Sequence, residues 1–189
     1  MSVAGGPTPM IDPACALLIV SCAMPLFGAA AAHKLRAIGE FAQTLAQYQL
    51  LPAVFIGVAG PAFGLMELAI CLGLPWPALR PVGAVAGVAL LLMYSAAITI
   101  NLARGRRDLD CGCGGFGRRT PIGSWMVVRN LSLACMLCLL RFPEASRTLE
   151  SADAVTIAGG AMAASFLYLS CDVLFGQVTA RRLGSTVRS

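Results

Sequence analysis

The stretch Gly105-Arg106-Arg107-Asp108-Leu109-Asp110-Cys111-Gly112-Cys113-Gly114-Gly115-Phe116-Gly117-Arg118-Arg119 is polar and glycine-rich, and it lies between long apolar runs. Pro81 to Leu102 precedes it and Ile122 to Leu140 follows it. In hydrocarbon the backbone must satisfy its own hydrogen bonds, so apolar runs of this length cross as helices and a polar interruption becomes a surface loop. The alternation therefore predicts an all-α, polytopic transmembrane helix bundle. The segment with two cysteines one residue apart would be its working end.

Composition agrees with lipid as the solvent. Hydrophobic residues make up 58% of the 189 residues and charged residues 12%, where a soluble domain carries about 25% charged residues. Mean hydropathy is +0.78. The net charge of +5 comes from short basic clusters between apolar runs. No basic face with interleaved aromatics is visible, which argues against nucleic acid as a partner. The cations instead set orientation and meet anionic headgroups of the bilayer. Eight cysteines are many for this length, but a cysteine inside an apolar run behaves as a small hydrophobe. Spacing is therefore more informative than number.

In chain order, Ile11 to Ala32 is a first span of about 22 residues, enough at 1.5 Å each for a ~30 Å hydrocarbon core. Met1 to Met10 contains no Lys or Arg, unlike the positively charged start of a signal peptide, so a retained span is expected. His33-Lys34-Leu35-Arg36 closes it with cations. Over residues 36–51, Ile38, Phe41, Leu45 and Tyr48 recur at steps of three or four, predicting an amphipathic helix in the interface. Ala53 to Leu74 is a second span with Glu67 inside it. Pro81 to Leu102 is a third, residues 104–121 form the Cys-Gly-Cys loop, and Ile122 to Leu140 is a fourth containing Arg129 and Asn130. Ala154 to Phe175 is a fifth, followed by a basic tail. The whole reads as a single integral membrane domain over residues 1–189.

Of the 14 Lys and Arg, ten fall in connections on one side, three on the other, and Arg129 lies within a span. The bias of cations toward the cytoplasm predicts the N-terminus outside, the C-terminus inside, and Cys111 and Cys113 at the cytoplasmic face.

Glycines 112, 114, 115 and 117 let the two sulfurs of Cys111 and Cys113 approach each other and a partner. A ring that small is strained, and strained disulfides are labile. The arginines favour thiolate, while Asp108 and Asp110 oppose them. A redox pair, half of a zinc shell and a plain turn are the three readings of this loop; no further His or Cys stands at zinc-finger spacing. Cys135 and Cys138 lie one helical turn apart and read either as a second redox pair or as two small core residues. Together with Cys15, Cys71 and Cys171 they could relay reducing equivalents across the bilayer. Glu67 and Arg129 are intramembrane charges, costly unless paired, with each other or, for Glu67, with His33 or Lys34. No cofactor motif is evident, and a bound quinone has none that can be read here.

Ala-Ala-Ala-His33-Lys34-Leu35, Phe41, Tyr48-Gln49-Leu50-Leu51-Pro52 and Glu67 resemble the opening of DoxX-like membrane proteins. Asn101-Leu102-Ala103-Arg104-Gly105-Arg106, Asp110-Cys111-Gly112-Cys113-Gly114, Ser124-Trp125 and Arg129-Asn130 resemble the methylamine utilisation protein MauE family, over about Ala16 to Leu140. The resemblance implies a DoxX-like four-helix core in the bacterial inner membrane, to which the apolar run from Ala154 to Phe175 adds a fifth span. It further implies a thiol–disulfide accessory that matures periplasmic methylamine dehydrogenase, whose small subunit carries disulfides and a tryptophan tryptophylquinone. A thioredoxin-like MauD-type protein is the implied partner, Cys111 and Cys113 the exchange pair, and Arg129 and Asn130 the support of the loop. With the client in the periplasm and the loop on the cytoplasmic side, either the relay links the two faces or the charge rule misleads here. A non-catalytic scaffold that docks the maturing enzyme, and a small-solute transporter using Glu67 and Arg129, are the other two functions compatible with the residues.

Overall fold

The computed structural model describes residues 10–111 and 121–186; Cys113 lies outside them. The described residues form six helices and no strands. These are α1 (Pro13–Arg36), α2 (Ile38–Tyr48), α3 (Ala53–Gly73), α4 (Arg80–Ala103), α5 (Ser124–Leu139) and α6 (Ser151–Thr186). Four of them, α1, α3, α4 and the Ser151–Phe175 part of α6, are long and apolar enough to cross a membrane. Large apolar side chains point outward along them, such as Val54, Val58, Val82, Val155 and Phe166. Helices apolar all round suit a lipid surface, where an outward valine loses nothing.

Two elements differ in length from the sequence expectation. Helix α5 has 16 residues, about 24 Å at 1.5 Å per residue. It starts only after an extended Gly123 and ends in a turn in which the Arg141 and Phe142 amides donate back to Cys138 and Leu139. Helix α6 has 36 residues and continues beyond the expected Phe175. No proline interrupts that stretch, so the intrahelical ladder has nothing to stop it.

Helices α1 and α3 run antiparallel in close contact. A Cβ on Gly64 would lie 2.8 Å from Leu35 Cδ2. Gly87 of α4 marks where α1, α3 and α5 converge: a Cβ there would lie 2.8 Å from Leu137 Cδ1, 3.3 Å from Phe27 Cζ and 3.6 Å from Ile70 Cγ2. Small residues permit such backbone approach where no hydrophobic drive exists between helices in lipid. The main core gathers around these contacts, with Phe27, Ile70, Leu74, Leu90 and Leu137 buried.

One end of the bundle is closed by polar ties. Asp12 caps α1 by accepting from the Ala14 amide at 2.8 Å, and its carboxylate also accepts from Arg147 at 2.7 and 2.9 Å. Arg147 reaches Asp153 at the start of α6 as well. Residues 11 and 143–145 exchange backbone bonds of 2.9 Å. Buried Arg80 donates to the Leu74 and Pro75 carbonyls and to Glu144. Cys111 lies beyond the other end of α4, which has 24 residues, or about 36 Å of helix.

Helix α2 is amphipathic as expected, and part of its apolar face is applied to protein while Ile38 stays exposed. Phe41 and Tyr48 are buried, and Phe41 meets Phe63 of α3 edge-on with ring centroids 6.4 Å apart.

Candidate functional site

Helix α1 carries Lys34 in its last turn, and α3 carries Glu67 facing it. The Lys34 Nζ donates to Glu67 Oε1 at 2.7 Å and to Oε2 at 2.9 Å, with both residues 1% exposed. The Tyr94 hydroxyl of α4 donates to Oε1 at 2.9 Å. The ammonium sits 5.1 Å from the Phe41 ring centroid and 5.2 Å from that of Tyr94. Phe63 stands edge-on to Tyr94 at 6.1 Å. One carboxylate thus joins α1, α3 and α4, and two aromatic faces share the cation. A buried charge pair is tolerated only when so thoroughly hydrogen-bonded.

Of the partners the sequence offered Glu67, the structure selects Lys34. His33 is half-buried, and its Nδ1 is buried without a hydrogen-bond partner. Arg129 places its guanidinium carbon 5.5 Å from the Tyr168 ring centroid of α6. Tyr94 and Phe41 were not singled out from the sequence as parts of a site. A lone tyrosine in the apolar run of α4 was the available signal, since a buried phenol needs a partner.

Arg129, Asn130 and Glu67 all line a cavity of about 80 Å³ among α1, α3, α4, α5 and α6. Its wall is otherwise mostly apolar, with Cys22, Tyr94, Met136 and Tyr168 also contributing.

At the far end, the base of the Cys-Gly-Cys loop is pinched. The Ile122 amide donates to the Leu109 carbonyl at 2.9 Å, and Asp110 forms an antiparallel bridge with Pro121. Arg106 ties the start of the loop down: its Nη1 donates to Gln49 Oε1 at 3.2 Å and to Asn101 Oδ1 at 3.4 Å. Gln49 adopts φ 53° at the end of α2, which turns the chain there. Cys111 is 8% exposed, packed among Tyr48, Ile98, Leu109, Ile122 and Met126. The glycine loop had suggested an accessible sulfur; the structure places Cys111 within a small core.

Cys135 and Cys138 are exposed free thiols on the outward side of α5, while Ala134 and Leu137 turn inward. They are therefore not core residues. Cys15, Cys22, Cys71 and Cys171 are also free thiols, and Cys71 donates to the Met24 carbonyl at 3.4 Å. Among the described residues no group of three or more His, Cys, Asp or Glu could hold a metal.

Comparison with known proteins covers most of the chain. A family described as methylamine utilisation protein MauE matches residues 11–143. The chain is similar to the methylamine utilization protein MauE of Paracoccus denitrificans, 34% identical over 165 residues, covering 86% of this chain and 88% of that protein. It is similar to the protein of the same name from Methylophilus methylotrophus, at 32% identity over 87% of this chain and 88% of the relative. A third from Paracoccus versutus shows 37% identity over 76% of each chain. No solved structure matches. With its helical, membrane-length architecture and this match over most of its length, the chain belongs to the methylamine utilisation protein MauE family.

Proposed function

We propose that this protein serves methylamine utilisation as a thiol–disulfide accessory of the bacterial inner membrane. It exchanges disulfides through Cys111 and Cys113 with a thioredoxin-like partner of the MauD type. That partner in turn supplies the small subunit of periplasmic methylamine dehydrogenase. The observation that carries the reading is the pinned loop base: Leu109 bonded to Ile122, Asp110 bridged to Pro121, and Cys111 held under Tyr48 and Met126. A packed sulfur next to a glycine loop divides the work between two cysteines. The packing shields Cys111 from an incoming thiolate, so attack falls on Cys113. A partner thiolate attacking Cys113 of a Cys111–Cys113 disulfide forms a mixed disulfide and releases Cys111 as thiolate. A second partner thiolate then displaces Cys113, leaving the partner oxidised and the pair as two thiols.

A partner that supplies a periplasmic enzyme must meet Cys113 on the periplasmic face, opposite to the side that the Lys and Arg bias alone gives the loop. The exposed Cys135 and Cys138, near the opposite end of the bundle, are the candidates for passing electrons onward.

Trapping tests the reading. With the second cysteine of the thioredoxin-like partner replaced by Ser, the mixed disulfide at Cys113 should accumulate, and Cys111→Ser/Cys113→Ser should accumulate none and leave the dehydrogenase immature. Normal maturation with the double variant would replace this reading by that of a scaffold. Impermeant thiol labelling of Cys113 in oriented vesicles fixes the sidedness.

A further inference from the structure

We infer that the cavity among α1, α3, α4, α5 and α6 binds the carbonyl group of a lipid-soluble molecule, with the Asn130 amide as hydrogen-bond donor. The inference stands independently of the thiol reading. Asn130 is 3% exposed, forms part of the cavity wall, and its Nδ2 is buried with no hydrogen-bond partner. A buried amide donor left unmet is costly, and one beside a cavity calls for an acceptor in that cavity.

The chemistry of the wall narrows the ligand. Arg129 beside Asn130 can only donate. The carboxylate of Glu67, the one anionic group in the wall, already accepts from Lys34 twice and from Tyr94 once. The Asn130 group left unmet in this wall is a donor, so a ligand oxygen that accepts is favoured. The rest of the wall is largely apolar, as with Ile19, Leu26 and Leu133, so the body attached to that oxygen is apolar too. At about 80 Å³, against roughly 10–15 Å³ for a site that just holds one water on the same measure, the cavity admits a carbonyl and its neighbouring carbons. The remainder of the molecule stays outside. Half-buried Ile19 and Leu133 and exposed Met136 form its outer rim, which opens the route from lipid. A quinone ring and the acyl ester of a phospholipid share this chemistry.

The sequence contains two asparagines, Asn101 and Asn130, and this makes the test direct. Full-length protein labelled with nitrogen-15 in the asparagine side chains is placed in nanodiscs of ether-linked phosphatidylcholine, which has no carbonyl. Asn101 Nδ2 donates to the Ala97 carbonyl at 3.1 Å and serves as the internal reference. Decylubiquinone should shift the Asn130 amide pair saturably and leave the Asn101 pair in place; that result assigns the site to a quinone. A shift on exchanging ether lipid for ester lipid, with no quinone added, assigns it to an acyl ester. Either supports the inference. An Asn130 pair indifferent to both overturns it and leaves water as the content of the cavity. Asn130→Leu keeps about the same size and removes the donor. It should weaken decylubiquinone or ester-lipid binding by at least about tenfold, read by competition with a carbonyl-bearing photoprobe, while the Asn101 pair stays unmoved. Equal photolabelling of the parent and Asn130→Leu also overturns the inference.

Discussion

Lys34 Nζ lies between the two carboxylate oxygens of Glu67, 2.7 Å from one and 2.9 Å from the other, with both residues 1% exposed. Residues 33 apart in sequence thus form a clamp between α1 and α3, and Tyr94 extends it to α4. The pair is complete within itself, which argues against Glu67 as the carrier of a transported solute. A carrier must exchange partners during each cycle.

Breaking the clamp on one side strands a charge in low dielectric. Glu67→Gln or Lys34→Met should each cost about 3–5 kcal/mol of stability. The double variant Lys34→Met/Glu67→Gln should cost less than either alone. Denaturant unfolding in a fixed detergent, combined as a double-mutant cycle, measures the coupling. Additive losses would refute the clamp.

Tyr94→Phe keeps the ring near Lys34 and removes only the hydroxyl donated to Glu67. A hydrogen bond to a charged group is worth about 1.5–3 kcal/mol. A loss in that range is expected, with secondary structure by circular dichroism unchanged. Tyr94→Leu removes the aromatic face too and should cost more.

Gly87→Ala places a methyl 2.8 Å from Leu137 Cδ1 and 3.3 Å from Phe27 Cζ. Overpacking at the meeting point of three elements should destabilise by about 1–3 kcal/mol. Gly159→Ala meets nothing within 4 Å and should be neutral or stabilising by up to about 1 kcal/mol, since alanine is the better helix former. The contrast between the two melting points tests the packing.

Asp12 has its carboxyl held below the usual range, first by its hydrogen bond from Arg147 and then by the Ala14 amide. A depressed carboxyl gives stability that is present above its unfolded value, near pH 4, and is lost as pH falls through the folded value. The tie between the start of α1 and the link before α6 should therefore loosen on acidification below about pH 4. The protection of the amides of residues 11 and 145 against exchange, followed by mass spectrometry and taken relative to the intrinsic rate at each pH, should fall in that window. Arg147→Gln should lower it already at neutral pH and flatten the pH dependence.

Cys111 is packed beneath Tyr48. In a Cys113→Ser background, maleimide should modify Cys111 slowly, and Tyr48→Ala should raise the rate by about tenfold or more, because labelling follows local opening. Equal rates in the two proteins would mean that the small core does not guard the sulfur.

Much of the architecture was legible in the residues. The runs at 11–32, 53–74 and 81–102 needed only their length and apolar content, and α1, α3 and α4 follow them closely. The three-and-four spacing of Phe41, Leu45 and Tyr48 exposed α2, though not that protein would cover part of it. The length of α5 was less legible, because its start depends on the extended backbone at Gly123 and the bond from Ile122 to Leu109. The Cys-Gly-Cys loop stood out by composition, yet nothing local says that Cys111 is packed. Lys34 reads as a solvated helix end beside His33 and Arg36, and only Glu67 from another helix reveals it as buried.

The sequence by itself determined that this chain is a bundle of membrane-length helices with a cysteine loop between two of them. Hydropathy and helical period are properties of consecutive residues and add along the chain. The tertiary structure alone decided which cation neutralises Glu67, that Tyr94 joins them, that Asn130 lies in a cavity wall, and which face each of the described cysteines occupies. Those outcomes depend on the rotation and register of helices against one another. Close contacts such as those at Gly64 and Gly87 set these, and no stretch of neighbouring residues encodes them.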